Sequence, residues 1–348
     1  MIEVARNSRG LSQKELASLL PKLNQPNISK VERGELTPVQ DDIANIAKAL
    51  DYPENFFCGE ETKMPVSYIY YRKRATLSKK LHDQLLAETH QIILRGIDAL
   101  MEKIELKEYP RYAFNITDGW TPKAIATRLR EILHLPPGRP VKDIIRLIEE
   151  LGVIVFFYDS KTDKFDGLTA YTNNGIPVIF VNKNMPPDRI KLTVVHELIH
   201  LVTHIPCDVE PWRDYESEAF EGAAEFFMPA HECYKELQNL TYNKLSALKS
   251  YWGIAKSAII RRAKELGCIT KETYTYLNIE LGRKGERKTE TGYVEIDKPQ
   301  IINTAIDLLK NQLGYTVDKL AETVCLSVAD YNRFFESNSN NQVKLRVL

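Results

Sequence analysis

The sequence predicts a multidomain protein with an all-α N-terminal domain, a mixed α+β core and a mostly helical C-terminal region. Its 348 residues are enough for two or three domains at roughly 150 residues per domain. Apolar residues recur at helical spacing at both ends of the chain, whereas strand-like runs occur in the middle. The expected segments are 1–57, a helical connector over 58–115, 116–240 and 241–348.

Composition and charge exclude several classes of protein. Apolar residues make up 43% and charged residues 27% of the chain, which excludes disordered and collagen-like proteins. No apolar run reaches the roughly 18 residues of a membrane span, and the first residues lack a secretory signal, so a cytoplasmic protein without membrane partners is expected. The five cysteines include no Cys-x-x-Cys and indicate free thiols. Because 47 basic and 47 acidic residues cancel, DNA contact requires a local basic patch.

Residues 1–57 have the pattern of short helices separated by tight turns. Ser12 and Glu15 form a capping box, which predicts a helix that begins at Gln13. Arg6 and Glu32 are expected to form an ion pair that holds the domain together. A long amphipathic helix is predicted over 81–104 of the connector. The basic stretch 72–80 before it is either a solvated face or a phosphate contact.

Residues 116–240 combine helices and strands. The apolar run 153–158 predicts a buried strand, and two further strands over 168–171 and 178–181 are separated by Asn174-Gly175, a strong hairpin signal. Asp188 is expected to cap a long apolar helix that ends near Val202. A second helix is predicted over 215–228. In the C-terminal region, helices are predicted over 245–266, 301–313 and 316–324.

One segment carries a metal-binding pattern, His196-Glu197-Leu-Ile-His200. Positions i and i+4 share one helix face, so both imidazoles are expected to reach one metal ion. Glu197 directly follows the first histidine and is expected to act as the general base. Two imidazoles and a carboxylate inside an apolar stripe would be costly without partners. This cost favours a metal site over two core histidines.

A third protein ligand would complete a catalytic zinc site. His204 is one candidate, because it lies at i+4 from His200. The 215–228 helix offers Glu216 and Glu218 at its start, and Glu216 is the preferred choice. Three small residues in this helix, 222–224, would let it approach the first helix closely. Two further glutamates of the helix are expected to face solvent, namely Glu221 and Glu225.

Residues 189–204 and 216–229, with the hairpin before them, resemble the ImmA/IrrE family of metallopeptidases. In that family the third ligand is the glutamate that opens a Glu-x-x-(Ala/Cys)-Asn segment, which corresponds here to Glu216. Phe220 stands where the family usually has asparagine. The resemblance implies a zincin-like core of the gluzincin type. Zn²⁺ is the expected cofactor and Mn²⁺ an alternative, because ligand spacing does not decide the metal.

Residues 1–57 resemble the XRE class of helix-turn-helix domains, through Gly10-Leu-Ser-Gln-x-Glu-Leu-Ala17 and Ile28-Ser-Lys-Val-Glu-Arg-Gly34. In such a fold the second helix of the pair enters the major groove of double-stranded DNA. Base-edge contacts are expected from Gln25, Asn27 and Lys30, and phosphate contacts from Arg9 and Gln13. Acidic residues outnumber basic ones over residues 1–60. A single module should therefore bind weakly, so a homodimer on a two-fold operator is expected.

Two functions of different class follow from these patterns. The first is a DNA-binding regulator whose zinc endopeptidase domain cleaves a protein partner; the family resemblance suggests a repressor or another transcription regulator as that partner. The second is a DNA-binding repressor or antitoxin-like protein whose metallopeptidase fold serves sensing or assembly without catalysis. An alternative for the first domain is a helical unit used for protein contacts.

The hairpin edge is the expected binding site for the protein substrate. An extended peptide could pair as an added strand beside the metal, which would place its scissile carbonyl over the zinc. The residues expected to receive it are Gly167, Leu168, Thr169 and Ala170.

Overall fold

The computed structural model describes residues 1–58, 78–160, 162–207, 210, 212–287, 289–336 and 346–347. The basic residues 72–74 of the connector lie outside these ranges. Within them, no helix is both long enough and apolar enough to cross a membrane.

Most of the described chain is helical. The helices are α1 (Ile2–Ser8), α2 (Gln13–Ser18), α3 (Gln25–Glu32), α4 (Gln40–Leu50), α5 (Lys79–Leu86), α6 (Leu94–Met101), α7 (Pro122–Ile132), α8 (Ile144–Glu149), α9 (Pro187–Ile199), α10 (Tyr215–Phe227), α11 (Ala230–Leu237), α12 (Leu245–Trp252), α13 (Lys256–Glu265), α14 (Lys271–Arg283), α15 (Ile301–Leu313), α16 (Val317–Thr323) and α17 (Val328–Phe335). The strands are β1 (Ile104–Glu105), β2 (Ile154–Tyr158), β3 (Gly167–Tyr171), β4 (Pro177–Asn182) and β5 (Arg346–Val347). A π-helical segment, Ala87–Ile93, joins α5 to α6, so the predicted connector helix is continuous.

Local capping signals determine where several of these helices begin. The Ser12 hydroxyl accepts the backbone N–H of Glu15, and the Glu15 carboxylate accepts that of Ser12, which confirms the capping box. Thr121 caps α7 and is followed by Pro122 at the first helical position, where proline costs no hydrogen bond.

The central sheet has the strand order β2–β4–β3. β2 runs parallel to β4, with Ile154 opposite Val178. β3 runs antiparallel to β4, with Gly167 opposite Val181, so the predicted hairpin is confirmed. β3 is an edge strand of this sheet, and α9 follows β4 after a short turn.

The two faces of the sheet belong to two hydrophobic cores. Val155 and Ile179 pack into a core with α7, α9, α10 and the helices up to α14. Their strand neighbours Phe156 and Phe180 pack into a second core, because successive side chains point to opposite faces. That second core contains α1–α4, the connector helix and α15–α17. Hydrophobic contacts therefore join the first and last parts of the chain.

Two sequence predictions about helices are wrong. The predicted helix 245–266 is two helices, because α12 ends at Gly253, which has φ 73° and adopts the left-handed conformation that glycine tolerates. Asp188 does not cap α9, whose N-cap position is Pro186. Instead, Asp188 lies in the first turn and its carboxylate is 3.0 Å from Nζ of Lys249.

Candidate functional site

The metal-binding pattern lies where α9 packs closely against α10. A Cβ atom on Gly222 of α10 would lie 3.0 Å from Cδ1 of Ile199 on α9, so a larger side chain would push the helices apart. This confirms that the small residues permit a close approach. α9 continues into a π-helical turn, His200–His204, and such turns are frequent at functional sites.

Three potential ligands converge between these helices. Nε2 of His196 lies 3.1 Å from Nε2 of His200. The two carboxylate oxygens of Glu216 lie 3.4 Å from these nitrogens, Oε2 from His196 and Oε1 from His200. One ligand atom from each residue lies within 4.8 Å of the other two. Two imidazole nitrogens and one carboxylate oxygen form the donor set of a catalytic zinc site.

The protonation states of these groups suit a metal ion. Burial lowers the pKa of His200 to about 3, so its ring is neutral at neutral pH. Burial would raise the pKa of the Glu216 carboxyl, but the close approach of the His196 and His200 rings outweighs it and holds that pKa well below its usual range. Metal binding requires a neutral imidazole and an ionised carboxylate.

Glu197 lies beside the candidate ligands, and a hydrogen bond from a residue of β3 holds its side chain. The hydroxyl of Thr169 lies 2.9 Å from Oε2 of Glu197 and 3.2 Å from its backbone oxygen, and donates to them. A Cβ atom on Gly167 would lie 2.9 Å from the backbone oxygen of Phe180 and 3.2 Å from Cγ of Glu197. Only glycine fits at this position, because the first contact is with rigid backbone.

A cleft of about 950 Å³ opens beside His196 and Glu197. Its wall includes Gly167, His196, Glu197, Phe220, Arg261 and Arg287.

Only part of the predicted substrate strand reaches this cleft. Gly167 lines it. Leu168, Thr169 and Ala170 are buried and are not part of the cleft wall. Because β3 is an edge strand of the sheet, the expected pairing of an extended peptide with its backbone stays a prediction.

The two alternative ligands, His204 and Glu218, lie on the far side of His200. Nδ1 of His204 is 2.8 Å from Nδ1 of His200. Nε2 of His204 is 3.1 Å from Oε2 of Glu218, and Glu218 is also paired with Arg213 at 2.6 Å. His204 therefore contacts the ring of a candidate ligand, Glu218 contacts His204, and neither joins the ligand cluster.

Two further residues of α10 differ from expectation or from the family pattern. Glu225 does not face solvent; it is buried and paired with Arg262, because the α10 surface around it is covered by α13. Phe220 lines the cleft, and the guanidinium of Arg261 lies 3.9 Å from the centre of its ring. An aromatic ring and a cation thus occupy the wall where the family usually has an amide.

In the N-terminal domain, the side chains of α3 that are predicted to contact bases differ in their exposure. Lys30 is exposed, whereas Gln25 and Asn27 are half-buried. Nε2 of Gln25 donates to Oε1 of Gln13 at 2.8 Å. This bond leaves Gln25 its carbonyl oxygen and one amide hydrogen for a base edge.

A polar network connects α1, α2 and α3 behind this surface. Nε2 of Gln13 donates to Glu32 at 2.7 Å. Nε of Arg6 lies 2.6 Å from the same carboxylate, so the predicted Arg6–Glu32 ion pair is confirmed. Gln13, expected at a phosphate, is thus held between the helices.

The predicted phosphate contact of Arg9 is corrected. Its guanidinium pairs with Asp330 of α17 at 2.6 Å and donates to the backbone oxygens of Leu50 and Asp51. It also lies 4.4 Å from the centre of the Tyr52 ring. Arg9 therefore joins the first domain to the C-terminal helices.

Comparison with known families agrees with both units. A family model described as a helix-turn-helix matches residues 2–57, and one described as an IrrE N-terminal-like domain, of a peptidase family, matches residues 148–264. The chain therefore contains a helix-turn-helix domain and an IrrE-like domain of a metallopeptidase family. A search among curated proteins finds no significant match. The matched IrrE-like region contains α9, α10 and the complete ligand cluster.

Some functional contacts of the IrrE-like domain were not foreseen from the sequence. Thr169 was expected to bind substrate, and its bond to Glu197 depends on the packing of β3 against α9. The spacing of His204 from His200 was a usable signal, but it suggested a ligand rather than a neighbour of a ligand. No local sequence pattern predicted the ion pair between Arg213 and Glu218.

Proposed function

We propose that this protein is a DNA-binding regulator whose IrrE-like domain is a zinc endopeptidase that cleaves a protein partner. The convergence of His196, His200 and Glu216, next to a cleft whose wall includes His196 and Glu197, carries this proposal. A gluzincin-type core is part of it, because two histidines of one helix and a glutamate of the next would hold the metal. The family resemblance points to a repressor or another transcription regulator as the partner.

The ligand set fits zinc, and Mn²⁺ is the alternative ion. When bound, zinc supplies Lewis-acid chemistry, which polarises a carbonyl and activates water. The protein supplies the proton transfers. The Glu197 carboxylate would take a proton from the attacking water and deliver it to the leaving amide nitrogen, while the Thr169 hydroxyl orients that carboxylate.

Co-incubation with the products of neighbouring genes tests the proteolysis. The variant Glu197→Gln keeps size and hydrogen bonding but cannot accept a proton. We expect it to retain zinc and to lose cleavage by about 10²- to 10⁴-fold. The matched control Glu221→Gln alters an exposed glutamate of α10 and should cleave like wild type. Cleavage that persists in Glu197→Gln would contradict the proposed base.

The DNA-binding role is proposed to use α3 in the major groove of a two-fold operator, with the protein as a homodimer. Lys30, Gln25 and Asn27 would contact base edges. Lys30→Ala should cost roughly 1–3 kcal/mol of discrimination between operator and unrelated DNA. Footprinting and titration at several salt concentrations measure this. An absence of any protected site, with affinity insensitive to salt, would favour a protein-contact role for this domain.

A second candidate function is a regulator that binds metal without catalysis, as a sensor or assembly module. The Phe220–Arg261 contact in the cleft wall favours it, because Phe220 replaces an amide that is usual in the family. In that case Glu197→Gln would match wild type in every cellular phenotype, whereas loss of the ligands would alter regulation.

A further inference from the structure

We propose that His204, Glu218 and Arg213 are positioning residues that keep His200 in the tautomer able to bind metal. The inference rests on the proposed zinc site and adds a hydrogen-bond relay behind one of its ligands. The relay runs from the ring of His200, through the ring of His204 and the carboxylate of Glu218, to the guanidinium of Arg213.

The relay is continuous, and its two histidine rings are shielded from water. Nδ1 of His200 and Nδ1 of His204 are 2.8 Å apart, and Nε2 of His204 is 3.1 Å from Oε2 of Glu218. The guanidinium of Arg213 lies 2.6 Å from Oε1 of the same carboxylate. The side chains of His200 and His204 are each 1% exposed, so water does not compete for the bond between their rings.

Proton placement along the relay has two arrangements. In the first, Nδ1 of His200 carries the proton and donates to Nδ1 of His204. Nε2 of His204 then carries its own proton and donates to the Glu218 carboxylate. In this arrangement Nε2 of His200 has a free lone pair, which faces Glu216 and His196, where the metal would lie.

In the second arrangement every proton moves to the other side. His204 would donate from Nδ1, and His200 would carry its proton on Nε2 and could not bind a metal there. The unprotonated Nε2 of His204 would then face the Glu218 carboxylate, so two acceptors would lie 3.1 Å apart. An ionised carboxylate accepts hydrogen bonds and donates none. Glu218 therefore selects the metal-competent arrangement.

Arg213 and the π-helical turn support this tautomer of His200. Arg213 bonds to Glu218 through both Nε and Nη2, which fixes the orientation of the carboxylate. The π-helical turn His200–His204 brings the two rings together along one helix. Partners behind metal-binding histidines typically contribute 10- to 100-fold to metal affinity.

Two substitutions at His204 test the relay. His204→Phe keeps a ring but removes the hydrogen bonds to His200 and Glu218. His204→Asn places an oxygen acceptor near the position of Nδ1 but fills less volume. The readout is the zinc dissociation constant of the full chain, measured by competition with a coloured chelator, together with the absorption spectrum of the Co²⁺-substituted protein. Denaturation of the metal-free proteins measures packing separately.

We expect His204→Phe to raise the zinc dissociation constant about 10- to 100-fold, and His204→Asn to recover most of that loss despite poorer packing. Glu218→Gln should raise the constant severalfold, because an amide pairs with either tautomer. Glu221→Gln, on the same helix, is the matched control and should bind zinc like wild type.

A zinc affinity of His204→Phe within twofold of wild type would overturn the relay. Equal losses in His204→Phe and His204→Asn would also overturn it, since they would indicate packing alone. If His204→Phe does not fold, equal affinities of Glu218→Gln and Glu221→Gln would overturn it instead. These outcomes leave the proposed function intact as long as zinc binding requires His196; wild type that binds no zinc would refute both.

Discussion

Thr169 connects the hairpin to the proposed general base. Its hydroxyl donates to the Glu197 carboxylate at 2.9 Å, and both side chains are buried. A hydrogen bond to a charged group contributes about 1.5–3 kcal/mol. The orientation of Glu197 therefore depends on a strand that is distant in sequence from α9.

Replacement of Thr169 should reduce catalysis without removing the metal. Thr169→Val keeps the shape but has no donor, and we expect cleavage to fall by about 10-fold. Thr169→Ser restores the hydroxyl and should recover most of the rate. Cleavage assays with parallel zinc analysis measure both effects. Equal rates in the valine variant and wild type would mean that Glu197 needs no such support.

His90 gives the stability of the fold a dependence on pH. It is buried in the connector helix, and burial together with the nearby His82 lowers its pKa from 6.5 to about 4. The unfolded chain binds the proton more readily than the folded chain. The contribution of His90 to stability is therefore complete above pH 6.5 and is lost as pH falls toward 4.

When the pH falls from about 7.5 to about 5, we expect His90 to lower the free energy of unfolding by about 2 kcal/mol. His90→Phe should remove that part of the pH dependence, as measured by urea denaturation at both pH values. His231→Phe is the control, because the His231 side chain is 73% exposed. Identical pH profiles for His90→Phe and wild type would show that His90 is not held neutral.

At the scale of elements, the α10–α13 interface contains a buried ion pair. Arg262 of α13 and Glu225 of α10 are each 4% exposed at the side chain, and Arg262 also donates to the backbone oxygen of Met228. Breaking a buried pair by removing one partner leaves an uncompensated charge.

Arg262→Met should therefore lower the free energy of unfolding by about 3–5 kcal/mol. Arg283→Met makes the same change where the side chain is 77% exposed and should have little effect. Chemical denaturation compares the two. A loss below about 1 kcal/mol in Arg262→Met would indicate that Glu225 finds another partner or water.

The helices and strands show which features can be predicted from the sequence and which cannot. The hairpin, the capping box and the helix that carries His196 depend on residues within a few positions of one another, and all three were predicted. Glu225 was misjudged because its cover comes from Arg262, which is 37 positions away. Asp188 and Arg9 were misjudged for the same reason, since helical periodicity carries no information about which distant helix covers a given face.

At the scale of the whole molecule, the two ends of the chain meet. Arg9 and Asp330 are separated by 321 positions, and α17 also pairs with the connector helix through Arg333 and Glu88 at 2.9 Å. The helix-turn-helix domain thus shares a core and ion pairs with the helices that cover one face of the sheet. The ligand cluster of His196, His200 and Glu216 lies on the opposite face of the sheet.

A double-mutant cycle measures the link between the ends. Arg9→Met and Asp330→Asn should each destabilise the chain, with a coupling energy of roughly 0.5–3 kcal/mol. Operator affinity of Arg9→Met should remain close to that of wild type, because this side chain faces α17. Additive stabilities, or a uniform loss of DNA binding in Arg9→Met, would restore Arg9 as a phosphate contact.

The central claim is a single metal site formed by His196, His200 and Glu216. Metal analysis of purified wild type, His196→Ala, Glu216→Gln and the control Glu221→Gln tests it most directly. We expect about one zinc ion per chain in wild type and in the control, and almost none in the other two proteins. Equal metal content in all four proteins would contradict the claim.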